Sequence, residues 1–445
     1  MNKNDIFEVE ITGMTDDGSG VGRAEGIAVF VPYTIIGETV RVHIIKVNKT
    51  YAVGKLLDVV IPSKHRIKAE CEYFYKCGGC QLWHMGYDAE LDYKYNKVAD
   101  CIKRIGGLET KVSPIIESPK TSRYRNKVQL PVSEAGIGFY RKNSHDVIDM
   151  DDCLLQDTRA SEIVGLVRNW IEENNIEPYN EKSGSGILRH IYLRMADSGI
   201  MVTMVIADDD LPMKDKLVDT LKNPALCVTS IVLNINNRNT NVVLGHKNIV
   251  IYGNKTLSDT IENVSFEISP NSFYQVNKEQ THTLYSIARR MANLSGNETV
   301  WDLYCGIGTI GQFMANKAGK IIGIEIVPEA VENARKNALN NDLDNAEYYC
   351  GAAEKVAPEL IKKGERADVV ILDPPRKGCD EVLLDTVIKT KPKRIVYISC
   401  KPSTLARDLK HLSANGYLVK EIVPVDMFPR TCHVESIVLM TKVKN

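Results

Sequence analysis

The chain has 445 residues, 44% hydrophobic and 25% charged, with a formal net charge of -1 and a pI near 6.8. These values describe an ordinary globular chain of roughly two to four domains and exclude a disordered or fibrous one, while the balanced charge neither demands nor excludes a nucleic-acid partner. The N-terminal "MNKNDIFEVEITG" lacks the apolar segment of a signal peptide and no apolar run could span a bilayer, so a cytoplasmic location, no membrane contact and reduced thiols are expected for this 11-cysteine chain.

Residues 1–60 read as short strands between glycine turns: "FEVEITGM", then "DDGSGVGRAEG", "IAVFVPY", "ETVRVHIIKV" and "TYAVGKLLDVV". Strands this short and regular imply a small OB-like β-barrel, a common nucleic-acid platform whose fold does not by itself fix function. Residues 61–270 read as a mixed α/β central domain. It opens with a cysteine cluster, "CEYFYKCGGC", and a helix over 86–105 that ends at Gly106-Gly107 and can pack on the C-terminal domain. A helix near 158–174 and strands around 187–206 and 228–235 follow. Residues 271–445 alternate strands with helices, including helices at 328–341 and 403–415, which is the pattern of a doubly wound, Rossmann-like sheet. The last two strand-like pieces, "YLVKEIVPVDMF" and "HVESIVLMTKV", have no helix between them and should pair antiparallel at the sheet's end.

Within that C-terminal domain "WDLYCGIGTIG" places Gly306, Gly308 and Gly311 in a turn directly after a strand, and Glu325 ends the next strand. The spacing alone satisfies a dinucleotide fingerprint. Asp302 inside the preceding strand and "ILDPPRKG" at the end of a later one point instead to S-adenosylmethionine (SAM). Glycines admit the cofactor to the backbone, and an acid after strand two can accept bonds from both ribose hydroxyls.

Three motifs fall at strand ends in the same sheet, where ligands bind in this architecture. They hold Asp373 in "LDPPRKG", Cys400 in "ISCKPSTLARD" and Glu435 in "DMFPRTCHVESIV". A strand-end cysteine is usually an inert small hydrophobe. Beside a methyl donor and a carboxylate it can instead solve a specific problem, because C5 of a pyrimidine is a poor nucleophile until a thiolate adds to C6. A base must afterwards remove the C5 proton, which suits Glu435. The proline-led helix after Cys400 is expected to lower the thiol's pKa. His433 could orient the base. Cys101, Cys227, Cys305, Cys350, Cys379 and Cys432 lack companion motifs and read as packing or incidental residues.

Together these motifs resemble the RNA (uracil-5-)-methyltransferase family, and the resemblance spans nearly the whole chain. It implies Cys400 as nucleophile, Glu435 as base, and Gln275 in "SPNSFYQVN", Tyr304, Gly306, Glu325 and Asp373 as SAM contacts. Two departures stand out. Arg430 occupies a position where His or Gln is expected, and "CGAAE" lacks an acid often found before the adenine pocket.

Cys71, Cys77 and Cys80 form C-x5-C-x2-C, with Cys153 in "MDDCLLQD" as a fourth candidate ligand. Zinc and iron-sulfur clusters both accept four thiolates, so spacing leaves the two open. The radical-SAM spacing C-x3-C-x2-C is not present. The family's 23S rRNA branch, with an N-terminal TRAM barrel and a [4Fe-4S] cluster, is the resemblance that favours iron-sulfur. Its tRNA branch generally lacks both features, so the expected partner is 23S rRNA, offered as a loop or flipped uridine, with no obligate protein partner implied. Arg123, Arg125 and Lys127 alternate in "SRYRNKV" and would share one RNA-facing side of a strand. Two alternatives remain at this stage: a tRNA uracil-5-methyltransferase, and an iron-sulfur RNA-binding redox sensor on a vestigial methyltransferase fold.

Overall fold

The computed structural model describes residues 1–443. At the N-terminus β1 (Ile6–Met14), β2 (Gly20–Ala24), β3 (Ile27–Val31), β4 (Thr39–Val47) and β5 (Tyr51–Ile61) close into a barrel in the order β1-β2-β3-β5-β4. Alternation drives the closure. Val9, Ile11, Val29, Val31, Val40, Val42 and Ile44 point inward and are buried, while their chain neighbours face outward.

Helix α1 (Tyr87–Arg104) belongs to a different core. Val98 and Ile102, one turn apart, are buried in the apolar cluster of the C-terminal domain.

The central sheet runs β12-β11-β10-β9-β6-β7-β8. Its strands are β6 (Lys127–Ser133), β7 (Gly136–Tyr140), β8 (Val147–Asp149), β9 (Leu188–Ala196), β10 (Gly199–Ile206), β11 (Val228–Ile235) and β12 (Lys247–Gly253). Helices α2 (Thr158–Glu173) and α3 (Lys214–Leu221) bury their apolar faces against it. A hairpin of β13 (Leu257–Ile261) and β14 (Val264–Ile268) leads on to α4 (Lys278–Ala292). The segment "SRYRN" is not part of a strand: β6 begins at Lys127 and Arg123 has a left-handed φ of 55°.

In the C-terminal domain β15 (Thr299–Leu303), α5 (Thr309–Met314), β16 (Lys320–Glu325), α6 (Pro328–Asn340), β17 (Ala346–Cys350), α7 (Ala353–Lys362), β18 (Val369–Leu372), α8 (Glu381–Thr390), β19 (Arg394–Ser399) and α9 (Pro402–Ala414) alternate. They are followed by β20 (Tyr417–Val425) and β21 (Glu435–Lys442). The order is β17-β16-β15-β18-β19-β21-β20. The first five strands are parallel, and β21 pairs antiparallel with both β19 and β20. The outer edge of β20 does not end the sheet. Ser113 and Ile116 donate to the carbonyls of Ile422 and Pro424 (2.8 and 2.9 Å), so a segment just after α1 covers that edge. Among the described residues no helix is long and apolar enough to cross a membrane.

Candidate active site

The cofactor side is built on the turn between β15 and α5. Gly306 has a φ of 56°, and nothing stands within 4 Å of where its Cβ would be, so the backbone offers an open face there. A Cβ at Gly311 would lie 2.9 Å from Asp302 Oδ2. That close approach lets the Gly311 amide donate to the same oxygen at 2.9 Å. Tyr304 holds a φ of 66°, unusual for a bulky residue, and its hydroxyl lies by the Cys379 thiol. Glu325 is aimed by two amides, from Gly306 (3.1 Å) and Val327 (2.9 Å). A carboxylate with two such bonds keeps lone pairs for ribose hydroxyls. Asp302 Oδ1 is buried without a partner. The residues present therefore fit SAM. Gln275 is buried, and its carbonyl accepts from Asn126 Nδ2 at 3.0 Å. The carbonyl of the next residue, Val276, accepts from the Asn126 amide at 2.9 Å.

Cys400 and Glu435 meet through strand register. The last pair of β19 with β21 is Ser399 opposite Ser436. One step further along an antiparallel pair sets Cys400 against Glu435. Burial, then the nearby Asp373, pushes the Glu435 carboxyl up to about 8. Burial alone pushes Asp373 up to about 7. Burial, reinforced by Glu435, raises the half-buried Cys400 thiol to about 11, against a lowering pull from Arg376. The expected lowering by α9 is outweighed. That helix starts at Pro402, which has no amide hydrogen, and the Lys401 amide is already bonded to Ser399 Oγ at 3.1 Å.

Arg376, within the D-P-P-R motif, is a site residue that the sequence reading passed over. Its guanidinium donates to His433 Nε2 at 3.3 Å. Burial pulls His433 down to about 4, so near neutrality it is an uncharged acceptor. His433 thus holds the cation that faces Cys400, rather than orienting Glu435.

The loop that delivers Glu435 is anchored from beneath. Lys94 on α1 is fully buried and bonds Glu90 Oε1 and Asp426 Oδ1, both at 2.6 Å, as well as the Phe428 carbonyl. Tyr87 donates to Asp426 Oδ2 at 2.8 Å. Arg430 lies over the rings of Trp83 and Tyr87 at 4.9 and 5.6 Å, and its amide donates to Glu90 at 2.7 Å. Its carbonyl accepts from the amides of Gln81 and Leu82, both at 3.1 Å. The departure at Arg430 therefore has a structural role. It ties the loop to α1 and to the cysteine segment.

Cys71, Cys77, Cys80 and Cys153 all line one cavity of about 300 Å³. As placed, and among the described residues, no three Cys, His, Asp or Glu side chains stand closely enough to hold a metal ion. The three cationic residues expected to share an RNA-facing side do not do so. Arg123 is committed to Asp152 through two bonds (2.8 and 2.5 Å), and Arg125 and Lys127 line the cysteine cavity. Tyr124, between Arg123 and Arg125, is buried and donates to the Pro429 carbonyl at 3.0 Å, which locks the segment against the loop before Glu435 instead of extending it as a strand. Of the cysteines read as packing or incidental residues, Cys305, Cys379 and Cys432 are buried, Cys101 is half-buried, and Cys227 and Cys350 are exposed.

Comparison with known proteins identifies the family. The tRNA (uracil-5-)-methyltransferase family pattern matches residues 86–443, and the TRAM domain pattern matches residues 2–57. An uncharacterised RNA methyltransferase of Clostridium tetani is 46% identical over 99% of this chain and 97% of its own. A second, from Clostridium acetobutylicum, is 46% identical over 100% and 98%. The crystal structure of the Pyrococcus abyssi tRNA (uracil-54, C5)-methyltransferase, solved with S-adenosyl-L-homocysteine, superposes with a TM-score of 0.79 at 30% identity. It covers 98% of this chain and 100% of its own. With an N-terminal TRAM barrel, a SAM-type turn and a matching pattern over most of its length, the chain belongs to the RNA (uracil-5-)-methyltransferase family and is a SAM-dependent enzyme of that class.

Proposed function

We propose that the enzyme methylates C5 of a uridine in 23S ribosomal RNA, with Cys400 as nucleophile and Glu435 as base. The observation that carries the chemistry is the register that sets these two side chains opposite each other at the carboxyl edge of the sheet. The Cys400 thiolate adds to C6, and the electron pair moves to C5 as an enolate carbon. SAM, when bound, supplies the electrophilic methyl group to which C5 bonds. Gln275, Tyr304, Gly306, Glu325 and Asp373 are the residues that would hold it. Glu435 then takes the proton from C5, the C5–C6 double bond reforms and the thiolate leaves. A carboxylate whose conjugate acid titrates near 8 is a stronger base than an exposed glutamate, as that step requires. The uridine must be unpaired or flipped to reach the pocket.

Cys400→Ala should abolish methylation and leave SAM binding largely intact. Glu435→Gln should trap a covalent RNA adduct that survives denaturation. Normal methylation by the first variant, or no adduct with the second, would refute these roles.

We assign a [4Fe-4S] cluster to Cys71, Cys77, Cys80 and Cys153. What supports it is that four thiols share one cavity with the cations Arg125 and Lys127, which would offset thiolate charge. Iron and acid-labile sulfide in anaerobically purified protein, with a visible absorbance that zinc thiolates lack, would bear it out. Zinc alone would overturn it.

A second reading, tRNA methylation, is favoured by the Pyrococcus abyssi tRNA enzyme. A match over 98% of this chain includes the barrel, so the barrel does not separate rRNA from tRNA enzymes. Labelled SAM offered with rRNA and tRNA transcripts side by side decides between them. Label entering only the tRNA would overturn the 23S assignment.

A further inference from the structure

The turn between β1 and β2 leaves the barrel and rests on the rim of the catalytic site. The Thr15 and Asp16 carbonyls accept from Tyr93 Oη on α1 at 2.8 and 3.2 Å. Lys97 Nζ bonds both the Asp16 and the Cys432 carbonyl at 2.8 Å. A Cβ on Gly18 would stand 3.3–3.5 Å from carbons of Gln81, Leu82 and Cys432. The seat is close-packed.

At its centre the Asp16 carboxylate holds two lysines. One oxygen lies 2.8 Å from Lys97 Nζ. The other pairs with the ammonium of Lys401, the residue directly after Cys400. The two lysines differ in freedom. The side chain of Lys97 is 8% exposed and that of Lys401 is 36% exposed. The main chain of Lys401 is pinned, its amide donating to Ser399 Oγ and its carbonyl accepting from Thr404 Oγ1, both at 3.1 Å. Only its flexible stem is free to swing. If it left, Asp16 would keep Lys97, so no half-buried carboxylate would be stranded without a counter-ion.

A nucleotide delivered to Cys400 brings a backbone phosphate on either side. We propose that Lys401 binds one of these phosphates, and that Asp16 of the barrel is the counter-ion that holds Lys401 at the rim until RNA displaces it. Asp16 is thus a positioning residue supplied by a separate domain. The ion pair is an intramolecular stand-in for the RNA backbone. The proposal rests on RNA as the substrate class, not on which RNA is methylated.

The test is equilibrium binding of full-length enzyme to a 23S rRNA transcript and to a tRNA transcript across a salt series, read independently of methylation. Lys401→Gln should weaken binding about tenfold at physiological salt and reduce the slope of log affinity against log salt by roughly 0.7–0.9, the value of one phosphate contact. Lys401→Met, which keeps the apolar stem, should do the same, and Lys401→Arg should retain the slope. Asp16→Asn should tighten binding several-fold when Lys401 is present and have no effect in the Lys401→Gln background. An unchanged slope in Lys401→Gln would overturn the proposal. So would an Asp16→Asn effect of equal size in both backgrounds, because the pair would then only dock the barrel.

Discussion

At the residue scale, the proposed role of Cys400 requires a thiolate, yet burial and Glu435 push its thiol up to about 11. Arg376, kept in place by neutral His433, is the group that opposes them. Alkylation of Cys400 by iodoacetamide should therefore rise about tenfold per pH unit between roughly pH 7 and 9, followed on the Cys400 peptide by mass spectrometry. Arg376→Gln should slow it at every pH in that window. A rate that levels off below pH 8 would contradict this account. The three buried acids make a second expectation. Asp302, Asp373 and Glu435 have folded-state values raised to about 7, 7 and 8. Raised values mean that the folded state retains protons the unfolded chain would release. Their stabilising share is complete below about pH 4 and is lost as pH climbs through about 8. The SAM-free enzyme should melt at lower temperature at pH 8.5 than at pH 6. Glu435→Gln should recover about 1–3 kcal/mol near pH 8 in calorimetry. A variant no more stable than the parent there would rule this out. These acids are legible in sequence as motif members. Their raised values are not, because they come first from burial in the folded core, with neighbouring carboxylates adding to it at Asp302 and Glu435.

At the element scale, α1 shows how far periodicity reaches. Its apolar spacing gives a helix at 86–105, and the helix observed is Tyr87–Arg104. The purpose of Lys94 is hidden, because a helical lysine ordinarily reads as solvated and its partner Asp426 lies 332 residues away in the chain. Removing one member of such a buried ionic set costs about 3–5 kcal/mol. Lys94→Met should lose that much in urea denaturation and should also let the covalent RNA adduct accumulate, since Glu90 and Asp426 anchor the loop before Glu435, the proposed base that resolves it. A loss below about 1 kcal/mol would mean that the triad carries no such load. The opposite failure occurs at "SRYRNKV", where alternating charge suggests a strand. Asp152 and the Pro429 carbonyl claim Arg123 and Tyr124 first. Tertiary partners override local pattern there, and nothing in the segment itself announces them.

On the scale of the whole molecule, strand and helix alternation makes the barrel and the doubly wound sheet readable, whereas their mutual docking is not. The Asp16 seat, the Arg430 clamp and the covered edge of β20 each join residues far apart in sequence. A fragment of residues 271–445 alone would lose α1 and the segment at 113–116. It should show no sharp thermal transition and should bind hydrophobic dye, and a cooperative melt near that of the full chain would disprove this. The covered edge has a consequence for synthesis. The strap at 113–116 and the helix before it leave the ribosome roughly three hundred residues ahead of the strand they cover. At about 5–20 residues per second, that is a wait on the order of 15–60 s. During it Val98, Ile102 and the Lys94 ammonium have no partners from β20 or the loop before β21. The order of translation therefore leaves α1 and the strap without these partners until β20 and the loop before β21 have been made, so a chaperone that shields α1 would act on the nascent chain during that interval.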